Sequence, residues 1–174
     1  MTRLDISSEL LREEGRLKVE KTLIILKPDT LQRGLAGRVI TRFEEKGFQI
    51  VAMKAMQVSR ELAEKHYAVH KGKPFYPRLI EYITASPVVV MVLQAVGGIA
   101  VARKMMGATF GSKAEPGSIR GDFSLSNSFN LIHGSDSPEA AAFEIGLYFK
   151  PDELLRYERP GEKWIYDTSA GAPE

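Results

Sequence analysis

The chain of 174 residues contains no cysteine. Without a thiol it has no disulfide framework, no Cys-ligated zinc site and no cysteine nucleophile, and a reducing compartment suits such a sequence. No apolar run approaches the ~20 residues of a membrane-spanning helix. The longest, Pro87 to Val96, is interrupted by Gln94 and reads as a buried strand. Charge of neither sign prevails: 24 Lys and Arg stand against 22 Asp and Glu, a net of +2, and no basic run exceeds two residues. The sequence thus lacks the basic runs by which a nucleic-acid binder usually shows itself, and its overall charge says little about partners. The opening residues lack the apolar segment of a secretory signal, and Asp5, Glu9, Glu13 and Glu14 argue against an organelle transit peptide. We expect a cytoplasmic protein. The usual phosphate-binding motifs are missing too. Gly97-Gly-Ile-Ala-Val-Ala-Arg-Lys104 lacks the Gly-Lys-Ser/Thr of a P-loop, and no Gly-x-Gly-x-x-Gly occurs.

What is present fits one globular domain, the usual content of a chain this long. Residues 1–20 read as a polar leader with Ile6, Leu10 and Leu11 on one helical face, and 168–174 as a tail. Between them the pattern predicts strands over Thr22–Lys27, Phe48–Gln57, Val88–Leu93 and Ser128–Ile132. It predicts helices over Gly37–Lys46, Ser59 to His66, Phe75–Thr84, Gly98 to Met106 and Ser137 to Phe149. Lys150 to Glu174 reads as irregular. That order points to an α/β (α+β) two-layer sandwich. A ferredoxin-like arrangement suits it, a four-stranded antiparallel sheet with helices packed on it.

His133 is the leading candidate for chemistry. It is expected where the last strand gives way to Gly134, Ser135 and Asp136. A strand end holds a side chain rigidly, and glycine lets another group come close. A neutral imidazole can attack phosphorus without a separate base. Glu144, two helical turns beyond the Ser137 cap, is placed to orient the ring, with Ser135 beside it. Lys27 at a strand end, Arg103 on a short helix and Arg120 in the long loop are candidate phosphate ligands. Each alone reads equally as a solvated cation. His66 and His70 have i,i+4 spacing, but no third ligand is placed near them, so a helix-terminal role is expected. A phosphohistidine phosphatase or mutase, and an RNA-binding module of the same fold class, stay open at this level.

The segment Asn130-Leu-Ile-His133-Gly-Ser-Asp136-Ser resembles the active-site signature of nucleoside diphosphate kinases. Its companions follow in the family's order: Lys27-Pro-Asp with Gln32-Arg-Gly34, Lys65-His-Tyr67, Pro74-Phe75, Gly117-Ser-Ile-Arg120-Gly-Asp-Phe123 and Trp164-Ile-Tyr166. The likeness runs from Lys21 to Asp167. It implies that His133 accepts the γ-phosphoryl of a nucleoside triphosphate and passes it to a diphosphate in a ping-pong cycle. It implies that Lys27, Tyr67 and Asn130 serve the transferring group, that Arg103, Thr109 and Arg120 hold the other phosphates, and that Ser135 and Glu144 fix the imidazole. Phe75 would stack on the base without reading it. The resemblance further implies Mg²⁺ carried by the nucleotide phosphates rather than by side chains, and a homo-oligomer, hexameric or tetrameric. Three departures stand out: Asn127 for a small apolar residue, Val69 for a frequent aspartate, and Phe110-Gly111 for a common Asn-Pro.

Overall fold

The computed structural model describes residues 18–167. The leader's Ile6, Leu10 and Leu11, and the tail 168–174, lie outside the described residues. Four strands form one antiparallel sheet: β1 (Val19–Leu26), β2 (Gln49–Met56), β3 (Val88–Val96) and β4 (Ile132–Gly134), in the spatial order β2-β3-β1-β4. β1 is central because Leu23 to Leu26 are apolar without a break, and all four are fully buried. It begins at Val19, so the last two residues assigned to the leader belong to the sheet.

Alternation along β1 sends Leu23 and Ile25 into one apolar cluster and Ile24 and Leu26 into another. The first cluster takes in Ala63 of α3 (Arg60–His66), Ile80 and Ile83 of α4 (Tyr76–Thr84), and Ile145 and Tyr148 of α7 (Pro138–Tyr148). The second takes in Val39 and Phe43 of α2 (Ala36–Glu45), Ala102 and Met106 of α5 (Gly98–Met106), and Ile119 of α6 (Ile119–Phe123). Helices thus cover both faces of the sheet, one layer more than the two-layer expectation. A short helix, α1 (Pro28–Gln32), follows β1 directly. The helix starts follow the serine signals. Ser59 and Ser137 accept hydrogen bonds from the Leu62 and Ala140 amides, and Ser118 caps α6 through the Gly121 amide.

Two expectations need correction. The last strand spans Ile132–Gly134, not Ser128–Ile132. Leu131 adopts a left-handed backbone (φ 67°), its amide donates to Asp29 Oδ2 at 3.1 Å, and its carbonyl accepts from the Lys27 amide at 2.8 Å. The turn after β1 consumes the groups a longer strand would need, so pairing with β1 begins only at Ile132. The segment after Lys150 is also not merely irregular. It makes two 3₁₀ turns and runs along β2, where the Leu155 amide donates to Val51 O and Arg159 donates to the carbonyls of Gly47 and Phe48.

Candidate active site

His133 lies inside β4, paired opposite Ile25. It shares the face of Leu23 and Ile25, toward α3 and α7. Gly134 packs closely on Met106: a Cβ there would stand 2.6 Å from its Sδ, so that side chain would have to shift. From α7, Glu144 places Oε1 3.0 Å from His133 Nε2, and its Oε2 accepts from Ser135 Oγ at 2.6 Å. Ser135 Oγ in turn accepts from the Leu23 amide at 3.1 Å, so β1 anchors the carboxylate. Burial pushes the Glu144 carboxyl up, but hydrogen bonds from His133 and Ser135 outweigh it and hold the group below its ordinary value. An ionised carboxylate only accepts. Nε2 of His133 is therefore the donor, and in the neutral ring the lone pair lies on Nδ1.

The cations converge, as spacing alone could not show. Lys27 follows Leu26 at the end of β1; its Nζ donates to Asn130 Oδ1 at 2.7 Å. Burial first, and then Arg120, push its ammonium down to about 7, against the pull of Asp29. Arg120 donates to three backbone carbonyls, those of Asn130 (3.1 Å), Gly107 (2.8 Å) and Ile132 (2.6 Å). Burial and neighbouring Arg103 lower it to about 10. Arg103 Nη1 donates to Gly134 O at 3.3 Å. Asn130 Nδ2 donates to the Thr109 carbonyl at 2.8 Å, which ties exposed Thr109 to the same segment. Three cations from three elements thus grip residues 130–134, the stretch that carries His133.

A chain of rings leads outward on the other side. Tyr67 lies 6.3 Å from His133, His70 stacks on Tyr67 at 6.2 Å, and half-exposed Phe75 meets His70 at 5.4 Å. The Tyr67 hydroxyl is buried without a hydrogen-bond partner, and burial raises its pKa. His66 corrects the sequence reading. It does end α3, but its side chain is fully buried, its ring lies 4.5 Å from that of His133, and its Nε2 is 4.0 Å from Glu144 Oε1. The neighbours of His66 are His133 and Glu144, from elements distant in sequence, and His70 is not among them. No signal local to His66 carries that placement.

The sequence model described as nucleoside diphosphate kinase matches residues 20–154. The chain is 56% identical over 149 residues to a nucleoside diphosphate kinase of Carboxydothermus hydrogenoformans, covering 86% of this chain and all of that one. The chain belongs to the nucleoside diphosphate kinase family. Among solved structures it resembles a halophilic nucleoside diphosphate kinase of Halobacterium salinarum in complex with CDP. There the TM-score is 0.84 at 43% identity, over 86% of this chain and all of that one. It also resembles a transition-state mimic of the Borrelia burgdorferi nucleoside-diphosphate kinase with bound vanadate and ADP. That match has a TM-score of 0.80 at 40% identity, over 84% and 96% of the two chains.

Against the nucleoside diphosphate kinase pattern, the departures have local explanations. Val69 is largely exposed, and Arg103 is held by Gly134 O instead of a carboxylate at that position. Asn127 accepts from Ser112 Oγ at 2.7 Å and so ties together two parts of the long loop. Gly111 is demanded by the close approach of the Ser124 backbone, which a Cβ would meet. Among the described residues, no helix is long and apolar enough to cross a membrane.

Proposed function

We propose that this nucleoside diphosphate kinase moves the γ-phosphoryl group of ATP through His133. The observation that carries the reading is the bond between His133 Nε2 and Glu144, which leaves Nδ1 free of that carboxylate in the stretch that the three cations grip. In the first half-cycle Nδ1 attacks the γ-phosphorus in line. An N–P bond forms, the bond from phosphorus to the β-bridging oxygen breaks, and the diphosphate leaves with that oxygen. The adduct makes the ring cationic, and the Glu144 carboxylate stabilises it. In the second half-cycle a terminal oxygen of another diphosphate attacks phosphorus, and the N–P bond breaks. Phosphoryl transfer asks mainly for alignment and for positive charge around the equatorial oxygens. Lys27, Arg103 and the N–H groups of Arg120 not given to carbonyls supply both.

We read Phe75 as the surface on which the base stacks, a contact every base can make. Asn130 holds Lys27, Ser135 steadies Glu144, and Tyr67, its ring 6.3 Å from that of His133, serves the transferring group. Mg²⁺ binds through oxygen and keeps several waters. The one group of three possible metal ligands among the described residues, His66, His133 and Glu144, offers two nitrogens and so does not suit it. Mg²⁺ therefore fits as an ion carried by the nucleotide phosphates, where it neutralises charge. We further read the protein as a cytoplasmic homo-oligomer, hexameric or tetrameric, that takes nucleoside di- and triphosphates and neither nucleic acid nor membrane. Exposed Leu125, Phe129 and Phe143 are apolar surface available for subunit contacts, and light scattering after size exclusion counts the subunits. The decisive experiment is incubation with labelled ATP. It should yield an acid-labile, base-stable phosphoprotein that any nucleoside diphosphate discharges, and label persisting in His133→Ala would overturn the reading.

A further inference from the structure

We propose that His66, His133 and Glu144 form a site for a borderline-soft divalent transition metal, Zn²⁺ foremost, whose occupation shuts the phosphoryl-transfer site. Their donor atoms all lie within 4.8 Å of one another, with 3.0 Å from His133 Nε2 to Glu144 Oε1 and 4.0 Å from His66 Nε2 to the same oxygen. Donors bound at ~2.0–2.2 Å to a tetrahedral ion stand roughly 3.4 Å apart, so small rotations of the His66 ring and the carboxylate close the triangle. Two histidines and one glutamate, with a fourth position left open, form a known zinc-binding combination. The nitrogens also favour Zn²⁺ over the magnesium that accompanies nucleotides.

His66 gives the second, independent observation. Its side chain is fully buried, and neither ring nitrogen has a hydrogen-bond partner. Buried polar atoms are rarely left this way, and each such case needs an explanation. One supporting group is already in place. Ser135 Oγ holds the other carboxylate oxygen at 2.6 Å. The rings of Tyr67 and Tyr148 flank His66 at 4.4 and 5.6 Å, and their hydroxyls are also buried without partners. His133, one-fifth exposed, gives the ion its way in.

The consequence for chemistry follows from counting protons. A neutral imidazole carries one. When the metal takes Nε2, that proton moves to Nδ1, and the lone pair aimed at phosphorus is gone. No bond to phosphorus forms until the ion leaves. Metal binding stands apart from the phosphoryl-transfer reading, whereas the inhibition rests on it.

The test uses the full chain, stripped with a chelator and titrated with Zn²⁺ alone by calorimetry, without nucleotide. One ion per chain is expected, bound at least ~10–100-fold more weakly by His66→Gln, since removing a ligand costs no less than removing an outer-shell partner. Co²⁺ in its place should give the intense visible bands of a tetrahedral site. Zn²⁺-loaded protein should form phosphoenzyme from ATP far more slowly than the same protein without Zn²⁺, and that ratio should approach one in His66→Gln. Unchanged affinity in His66→Gln would overturn the site, and unimpeded phosphoenzyme formation at full occupancy would overturn the inhibition. If that variant does not fold, wild-type crystals soaked in Zn²⁺ decide the matter by anomalous scattering. A peak between the three donors supports the site, and peaks elsewhere or none overturn it.

Discussion

Glu144 holds His133 and Ser135 with its two carboxylate oxygens, at 3.0 and 2.6 Å. One side chain thereby fixes both the orientation of the imidazole and the nitrogen that bears its proton. The two functions are separable by substitution. Glu144→Gln keeps an acceptor for Nε2 but removes the negative charge that stabilises the cationic adduct. Glu144→Ala removes both. We expect the glutamine variant to form phosphoenzyme ~10²-fold more slowly, a loss typical of one electrostatic partner. The alanine variant should be slower again, because Nε2 then has no fixed acceptor and the proton can sit on Nδ1. Single-turnover labelling with ATP measures both. Equal rates in the two variants would show that charge alone matters.

Arg120 is as much a structural clamp as a phosphate ligand. Its guanidinium is buried and ties the carbonyls of Gly107, Asn130 and Ile132 together. Lysine has one donor atom and cannot reproduce that fork. Arg120→Lys should leave about two carbonyls unpaired and lower stability by ~3 kcal/mol. In a domain of this size that is roughly 6–12 °C in melting temperature. Calorimetry of the nucleotide-free protein checks it. A variant that melts like the wild type while losing activity would assign Arg120 to phosphate alone.

Much of this was legible in the chain itself. The unbroken apolar run Leu23–Leu26 announced a central strand, and the Ser59 and Ser137 caps placed two helix starts to the residue. The spacing from Ser137 also put Glu144 on the face that meets His133. What stayed hidden depended on distant partners. The displacement of β4 comes from Asp29, more than 100 positions earlier in the chain, gripping the Leu131 amide. The burial of His66 against His133 brings α3 beside β4, which no local pattern encodes. The convergence of Lys27, Arg103 and Arg120 is likewise a property of the folded sheet. A surface lysine and a buried one look alike in a sequence.

Lys27 carries a pH signature that follows from its burial. Its folded pKa, about 7, lies below the ordinary 10.5, so between those values the unfolded chain binds the extra proton. Stability contributed by this group therefore rises with pH across that window, and the penalty of a buried ammonium is complete below pH 7. At ~1.36 kcal/mol per unit that penalty reaches a few kcal/mol. Lys27→Met should be more stable than wild type at pH 6, with the difference shrinking above pH 8, though it loses the bond to Asn130. Bound phosphates reverse the balance by favouring the ammonium. At pH 8 the free protein holds Lys27 largely neutral, so nucleotide binding should draw in close to one proton; at pH 6 it should draw in almost none. Calorimetric titration with a nucleoside diphosphate, in buffers of different ionisation enthalpy, counts the protons directly. Uptake at pH 8 that persists in Lys27→Met would place the titrating group elsewhere.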